Sequence, residues 1–173
     1  MADVRRSIET LAHVVFIVSC VGLTAIVVQK HVSPSEAMRA QEGVPFRPGQ
    51  TVQSIPEASF DSADQSIVLF VKSTCQPCSD SMPFFKRISQ ARRIAPRMQI
   101  IAASSDLPEI TDAYLQANEI RVDRIVQINP EEYLLQATPS IVIVDGRGVA
   151  VTSWSGALSR SQESSLLRKL SGS

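Results

Sequence analysis

The chain has 173 residues, enough for one ordinary domain plus a modest extension. Its 17 Lys and Arg balance 17 Asp and Glu, and a formal net charge of zero gives no reason to invoke nucleic acid. Three cysteines are too few for a disulfide scaffold, so thiol chemistry here would rest on one particular pair.

The extension is at the front. Residues 1–10 form a short tail carrying Arg5 and Arg6, and Leu11 to Val28 then contains no Lys, Arg, Asp or Glu. As a helix this stretch is about 27 Å long, close to the hydrocarbon thickness of a bilayer, and it is apolar all round. It predicts a transmembrane anchor over residues 11–29 in contact with the lipid bilayer, with Cys20 inside it as a small hydrophobe. A cleaved signal needs small residues directly after the apolar run. Here the run ends in Gln29-Lys30-His31-Val32, which favours an uncleaved anchor. Lys30 and Arg39 nearly offset Arg5 and Arg6, but the short tail and its adjacent arginines lean towards a cytoplasmic N-terminus. Residues 30–50 are rich in Pro, Gly and polar residues and read as a linker, leaving a domain over 51–173.

Within that domain, strand and helix signals alternate. Thr51–Ile55 reads as a weak strand or extended arm, and Ile67–Lys72 as a strand buried on both faces. A helix follows from Ser79 to about Ala95, with Phe84, Ile88, Ala91 and Ala95 on one side. Lys86, Arg87, Arg92 and Arg93 lie elsewhere and, with Arg97, read as its wet side. Met98–Ala103 is a second strand. Pro108 opens a helix that carries Ile110, Tyr114 and Ala117 on one face, and Arg124–Ile128 is a third strand. Pro130–Gln136 reads as a short helical turn. Ser140–Asp145 is the clearest strand, and Gly146-Arg147-Gly148 turns it back into Val149–Trp154, with Trp154 read as core. Ser159 and Gln162 have capping-box spacing, opening a helix that buries Leu166, Leu167 and Leu170. Asp106 and Asp145 read as turn and cap residues. The order predicts an α/β fold, a mixed sheet with helices on both faces.

Cys75-Gln76-Pro77-Cys78 stands where the first strand gives way to the first helix. Unpaired N–H groups and the positive end of the helix dipole favour a thiolate at such a position. Zinc would want four ligands, whereas the domain has no His and no further Cys, and Ser79 occupies the place where a c-type haem needs His. No metal or cofactor is expected. Thr138-Pro139, directly before the strongest strand, is a candidate cis peptide bond.

Together these residues resemble the thioredoxin fold, and more narrowly the membrane-anchored bacterial proteins of the TlpA, ResA and CcmG type. Ser73-Thr74-Cys75-Gln76-Pro77-Cys78 with Met82-Pro83, and Thr138-Pro139-Ser140 with the strand and glycines after it, match that group's motifs over roughly Thr51 to Leu170. The resemblance implies thiol–disulfide exchange on protein disulfides through a Cys75–Cys78 redox disulfide. Cys75 would attack and Cys78 resolve, with Thr74, Gln76, Pro77, Thr138 and Pro139 meeting the client chain. It further implies a domain in the periplasm on a single-pass inner-membrane anchor and, if the protein is reducing, a membrane electron donor and clients such as apocytochromes in cytochrome c maturation.

The sequence also departs from that pattern. Thr74 replaces the usual Trp before the first Cys, Ser81 the Glu of the reductase subgroup, and Leu69 the buried acid of classical thioredoxins. Lys72 could stabilise the thiolate or simply be solvated. Gln-Pro between the cysteines resembles the dipeptides of reducing members. Two alternatives stand beside this function. One is a peroxiredoxin-like peroxide reductase, although Thr74 is adjacent to Cys75 instead of three residues ahead. The other is a non-catalytic tethered assembly or chaperone module, similar in layout to the accessory proteins of methylamine dehydrogenase maturation.

Overall fold

In the computed structural model, the described residues are 46–52, 55, 58–92, 95, 97–133 and 135–171. The predicted tail, the anchor over 11–29 and the linker up to residue 45 lie outside them. Among the described residues no helix is long and apolar enough to cross a membrane.

The elements run β1 Gln65–Val71, α1 Gln76–Ala91, β2 Met98–Ser104, α2 Pro108–Ala117, β3 Arg124–Gln127, β4 Ser140–Asp145, β5 Ala150–Ser155 and α3 Arg160–Ser171. They build one five-stranded sheet in the order β3-β2-β1-β4-β5. β1 pairs in parallel with β2, and β2 with β3; β4 is antiparallel to both β1 and β5. The mixed sheet is the one the alternating signals predict. β1 sits at its centre, which is why Ile67 to Val71 can be apolar without interruption.

Side chains alternate between two faces. Ile67, Leu69, Ile100, Ala102, Ile141 and Ile143 face one cluster, which α1 fills with Met82, Phe84, Phe85 and Ile88, α2 with Leu115, and α3 with Leu166 and Leu170. Val68, Phe70, Ile101, Ala103, Val142 and Val144 face the other, which is closed by Phe46, Val52, Ile55, Phe60, Ile128 and Tyr133. Among the described residues, therefore, all three helices cover the same face. The expected second helical layer is replaced there by irregular chain. The physical reason lies in the sheet order. The crossovers β1-α1-β2 and β2-α2-β3 step in the same direction, so right-handed connections place both helices on one side.

Several local expectations shift. Thr51 makes a single antiparallel bridge to Val149 and no strand. Phe46 is buried, and the Gly49 N–H donates to the Ala150 carbonyl (2.8 Å), so packing on β5 starts ahead of Thr51. α1 ends at Ala91, short of Ala95, in keeping with the bias against helical conformation in a residue that precedes a proline (Pro96). Residues 130–133 form a turn and not a helix, and it drops Tyr133 into the second cluster. Trp154 is only partly buried, with the Lys169 ammonium 5.8 Å from its ring centre, and Leu167 is also only partly buried. The capping box of α3 forms as expected: the Ser159 N–H donates to Gln162 Oε1 (2.8 Å) and the Gln162 N–H donates back to Ser159 Oγ (3.4 Å). Gly146 is required by contact, because a Cβ there would lie 2.9 Å from the Ala63 carbonyl oxygen.

Candidate active site

The C-terminal ends of β1 and β2 and the start of β4 meet at one end of the sheet, and there the thiols are found. Cys75 is the N-cap of α1, with extended backbone (φ −94°, ψ 112°), and Pro77 stands in the helix's first turn, where its missing N–H costs nothing. The Cys75 sulfur does the work that a Ser or Asp oxygen does at other N-caps. It accepts the N–H of Cys78 at 3.2 Å. The Thr138–Pro139 peptide bond is cis, as its place before β4 suggests, and Pro139 is buried. Thr138 lies against the same sulfur: its hydroxyl donates to Cys75 Sγ at 3.2 Å, and its carbonyl lies 3.3 Å from Sγ, within reach of the thiol proton.

The two cysteines are free thiols in different environments. Cys75 is partly exposed, whereas Cys78 has no exposed surface and belongs to the buried cluster that includes Leu69, Val71, Met82 and Phe85. Their sulfurs are 2.7 Å apart, with Cys78 donating to Cys75. Burial disfavours a Cys75 thiolate, but hydrogen bonds from the Cys78 thiol, the Thr138 hydroxyl and the Cys78 N–H outweigh it. With the charge of Lys72 added, they hold the Cys75 thiol below its ordinary range. Burial pushes the Cys78 thiol up to about 12, and donation of its proton to Cys75 adds to the rise. One thiol is prepared to ionise and the other to stay protonated.

Around this pair, Thr74, Gln76 and Pro77 are exposed, and Gln76 Nε2 donates along the helix to Asp80 Oδ1 at 2.9 Å. Lys72 is exposed at the end of β1. Leu69 is fully buried in the cluster that holds Cys78, and the Ser81 hydroxyl is spent on the Pro77 carbonyl at 2.7 Å. Two further residues tie the site together without having been singled out for it. The Asp106 carboxylate accepts the Ser73 N–H at 2.7 Å, joining the loops after β1 and β2. Tyr114 Oη lies 3.0 Å from Ser79 Oγ, joining α2 to the first turn of α1. Burial raises the Tyr114 phenol above its usual value, so it stays protonated as the hydroxyls require. Among the described residues no group of three or more His, Cys, Asp or Glu side chains gathers that could hold a metal ion.

No protein-family model matches the chain, and no curated protein matches it in sequence. Solved structures do match its architecture. A provisionally named protein disulfide isomerase from Bacteroides thetaiotaomicron superposes with a TM-score of 0.59 at 18% identity, covering 74% of this chain and 90% of that one. A provisionally named thiol:disulfide interchange protein DsbE from Chlorobium tepidum gives 0.56 at 15% identity, over 72% and 96%. The thioredoxin domain of a thiol-disulfide oxidoreductase from Bacteroides vulgatus gives 0.53 at 16%, over 72% and 97%.

The chain has a thioredoxin-like fold. At such identities the likeness is one of architecture, and the chemistry has to be argued from the site. Within this thioredoxin-like fold Cys75, Cys78, Thr138 and Pro139 converge, while Thr74, Gln76 and Pro77 form the exposed rim. The basic set falls elsewhere: Lys86 pairs with Glu119, Arg87 with Glu163, Arg92 with Asp123 and Arg97 with Asp64, and Arg93 lies outside the described residues. An open groove of about 770 Å³ between the C-terminal halves of α1 and α2, lined by Lys86, Arg92, Gln116 and Arg121 among others, is at the opposite end from the thiols.

Proposed function

We propose that the protein is a thiol–disulfide oxidoreductase acting on protein disulfides, anchored by residues 11–29 with its domain outside the cytoplasm, and working in the reducing direction. The observation that carries the exchange chemistry is the Cys75 sulfur, partly exposed and held by three donors, with Cys78 Sγ 2.7 Å behind it. The Cys75 thiolate attacks one sulfur of a client disulfide. That S–S bond breaks, one client sulfur leaves as a thiolate and takes up a proton, and the other remains bonded to Cys75. Cys78 then loses its proton and attacks Cys75 Sγ, releasing the second client thiolate and leaving a Cys75–Cys78 disulfide. Two electrons have passed to the client, and a membrane dithiol donor restores the pair. The anchor rests on the uncharged run Leu11–Val28, and the direction on the Gln-Pro dipeptide.

Trapping tests the exchange step. Cys78→Ala should leave mixed disulfides through Cys75 in cell-envelope extracts, and Cys75→Ser should leave none. An empty trap with Cys78→Ala, or biological activity surviving Cys75→Ser, would replace this function with a holding role. The reduction potential tests direction: about −270 mV or lower supports a reductant, and a value near −120 mV reverses the assignment. Membrane fractionation of the full chain, with a tag at residue 173 shielded from cytoplasmic protease, tests the anchor and its orientation.

A further inference from the structure

Exposed large apolar side chains are few among the described residues: Leu107 at 54%, Ile110 at 48% and Val151 at 50%. Two of the three fall at the start of α2, and the topology puts that point beside the thiols. Both α1 and α2 begin at the C-terminal ends of parallel strands, so they run side by side in the same direction. Their register is fixed at two places, by Tyr114 Oη against Ser79 Oγ (3.0 Å) and by Lys86 Nζ against Glu119 Oε1 (2.8 Å). Ile110 precedes Tyr114 by four residues and so shares its face of α2 one turn nearer the helix start, at the end of the sheet that carries Cys75. Leu107 caps the same helix, and its neighbour Asp106 is bonded to the Ser73 N–H at 2.7 Å.

Resting on the oxidoreductase function above, we infer that Leu107 and Ile110 form a client-docking ledge continuous with the rim of Cys75, selecting disulfides flanked by apolar, non-acidic residues. The rim itself supports this: Thr74, Gln76 and Pro77 are exposed and uncharged, so the surface directly around the cysteine sets no charge requirement of its own on a bound segment. Asp106 and Glu109 stand on either side of Leu107, and a client carrying Asp or Glu there would meet like charge. The occupant that fits is an extended stretch of client chain next to its disulfide, with an aliphatic side chain laid across the start of α2.

The test compares three oxidised substrates: hydroxyethyl disulfide, a disulfide peptide with Leu beside its cysteine, and the same peptide with Glu there. The wild-type chain should reduce the Leu peptide about tenfold faster than the Glu peptide. The Leu107→Ser/Ile110→Ser double variant should lose most of that preference while keeping its rate on hydroxyethyl disulfide. Val151→Ser, which removes the third exposed apolar side chain, should change neither rate. Equal wild-type rates on the two peptides overturn the ledge, as does a double variant slowed equally on all three substrates, which marks a disturbed site. A wild-type chain inert to every disulfide overturns the oxidoreductase function and the ledge with it, so the two failures are told apart by hydroxyethyl disulfide alone.

Discussion

The polar rim around Cys75 and the apolar bed beneath Cys78 are one helical turn apart and have opposite chemistry. At the rim a sulfur collects three donors and keeps an open side. In the bed a sulfur of the same residue type lies in the apolar cluster that also holds Leu69, Val71, Met82 and Phe85, and it donates to the other cysteine. The difference shows that C-x-x-C spacing alone does not assign roles. The roles come from which end of the pair the fold buries, and here the second lies in the cluster that β1 and α1 help to build.

The largest expected effect comes from damaging the bed. Phe85 is fully buried in the cluster that holds Cys78, so Phe85→Ala should destabilise the domain by about 3–5 kcal/mol. Urea unfolding of the reduced protein checks this. A loss below about 1 kcal/mol would mean that the cluster is loosely packed, and the contrast between rim and bed would weaken.

The next test separates the two thiols by pH. The Cys75 thiol lies below its ordinary range, so its thiolate fraction rises with pH and saturates early. Attack on a client disulfide should level off at lower pH than it does for an ordinary cysteine thiol. Burial persists once Cys75 is in a mixed disulfide and holds Cys78 protonated, so resolution should still be climbing about tenfold per pH unit at pH 9, roughly a hundredfold between pH 7 and 9. Stopped-flow measurement of the two phases resolves them. A resolving phase that levels off near pH 7 would show that some group removes the Cys78 proton.

A smaller effect probes one donor at the rim. Thr138→Val keeps the backbone carbonyl and deletes the hydroxyl that donates to Cys75 Sγ, so the thiol should ionise at higher pH. A more basic thiolate is scarcer at neutral pH but intrinsically more nucleophilic. Alkylation by iodoacetamide should therefore be about two- to fivefold slower at pH 7 and modestly faster at high pH, with the two profiles crossing. Parallel profiles without a crossing would assign Thr138 to packing.

How far the sequence shows this site depends on the range of each interaction. Cys75, Cys78 and Thr138-Pro139 are visible because each sits at an element boundary whose apolar run and proline mark it locally. The strand at β1, the hairpin through Gly146 and the capping box at Ser159 are visible for the same reason. Asp106 and Tyr114 are not, because their partners Ser73 and Ser79 lie 33 and 35 residues away and meet them only after the chain has crossed over from β1 to β2. The second face is hidden as well. Phe46, Val52 and Ile55 follow neither a helical nor a strand period, so a segment read as linker and arm gives no sign that it closes a core. The one-sided helical layer follows from strand order, which hydrophobic periodicity does not encode.

The smallest expected effect comes from the far end of the same helix pair and serves as the control for all of these. α2 ends in a Schellman motif: the Ile120 N–H donates to the Leu115 carbonyl and the Glu119 N–H to the Gln116 carbonyl, both at 2.9 Å. That geometry places Glu119 at φ 57°, in the left-handed region that favours glycine. Glu119→Gly relieves the backbone but adds freedom to the unfolded chain, and it removes an exposed ion pair with Lys86 that contributes little. The net should be a gain of about 0.5 kcal/mol, read as a small rise in the urea midpoint at constant slope. Because Ser79–Tyr114 still holds the helices in register at the other end, the pH profile of Cys75 should not move. A shift in that profile would mean that the rim depends on the whole length of the α1–α2 contact, and the ledge at Leu107 and Ile110 would then have to be assigned to a moving element.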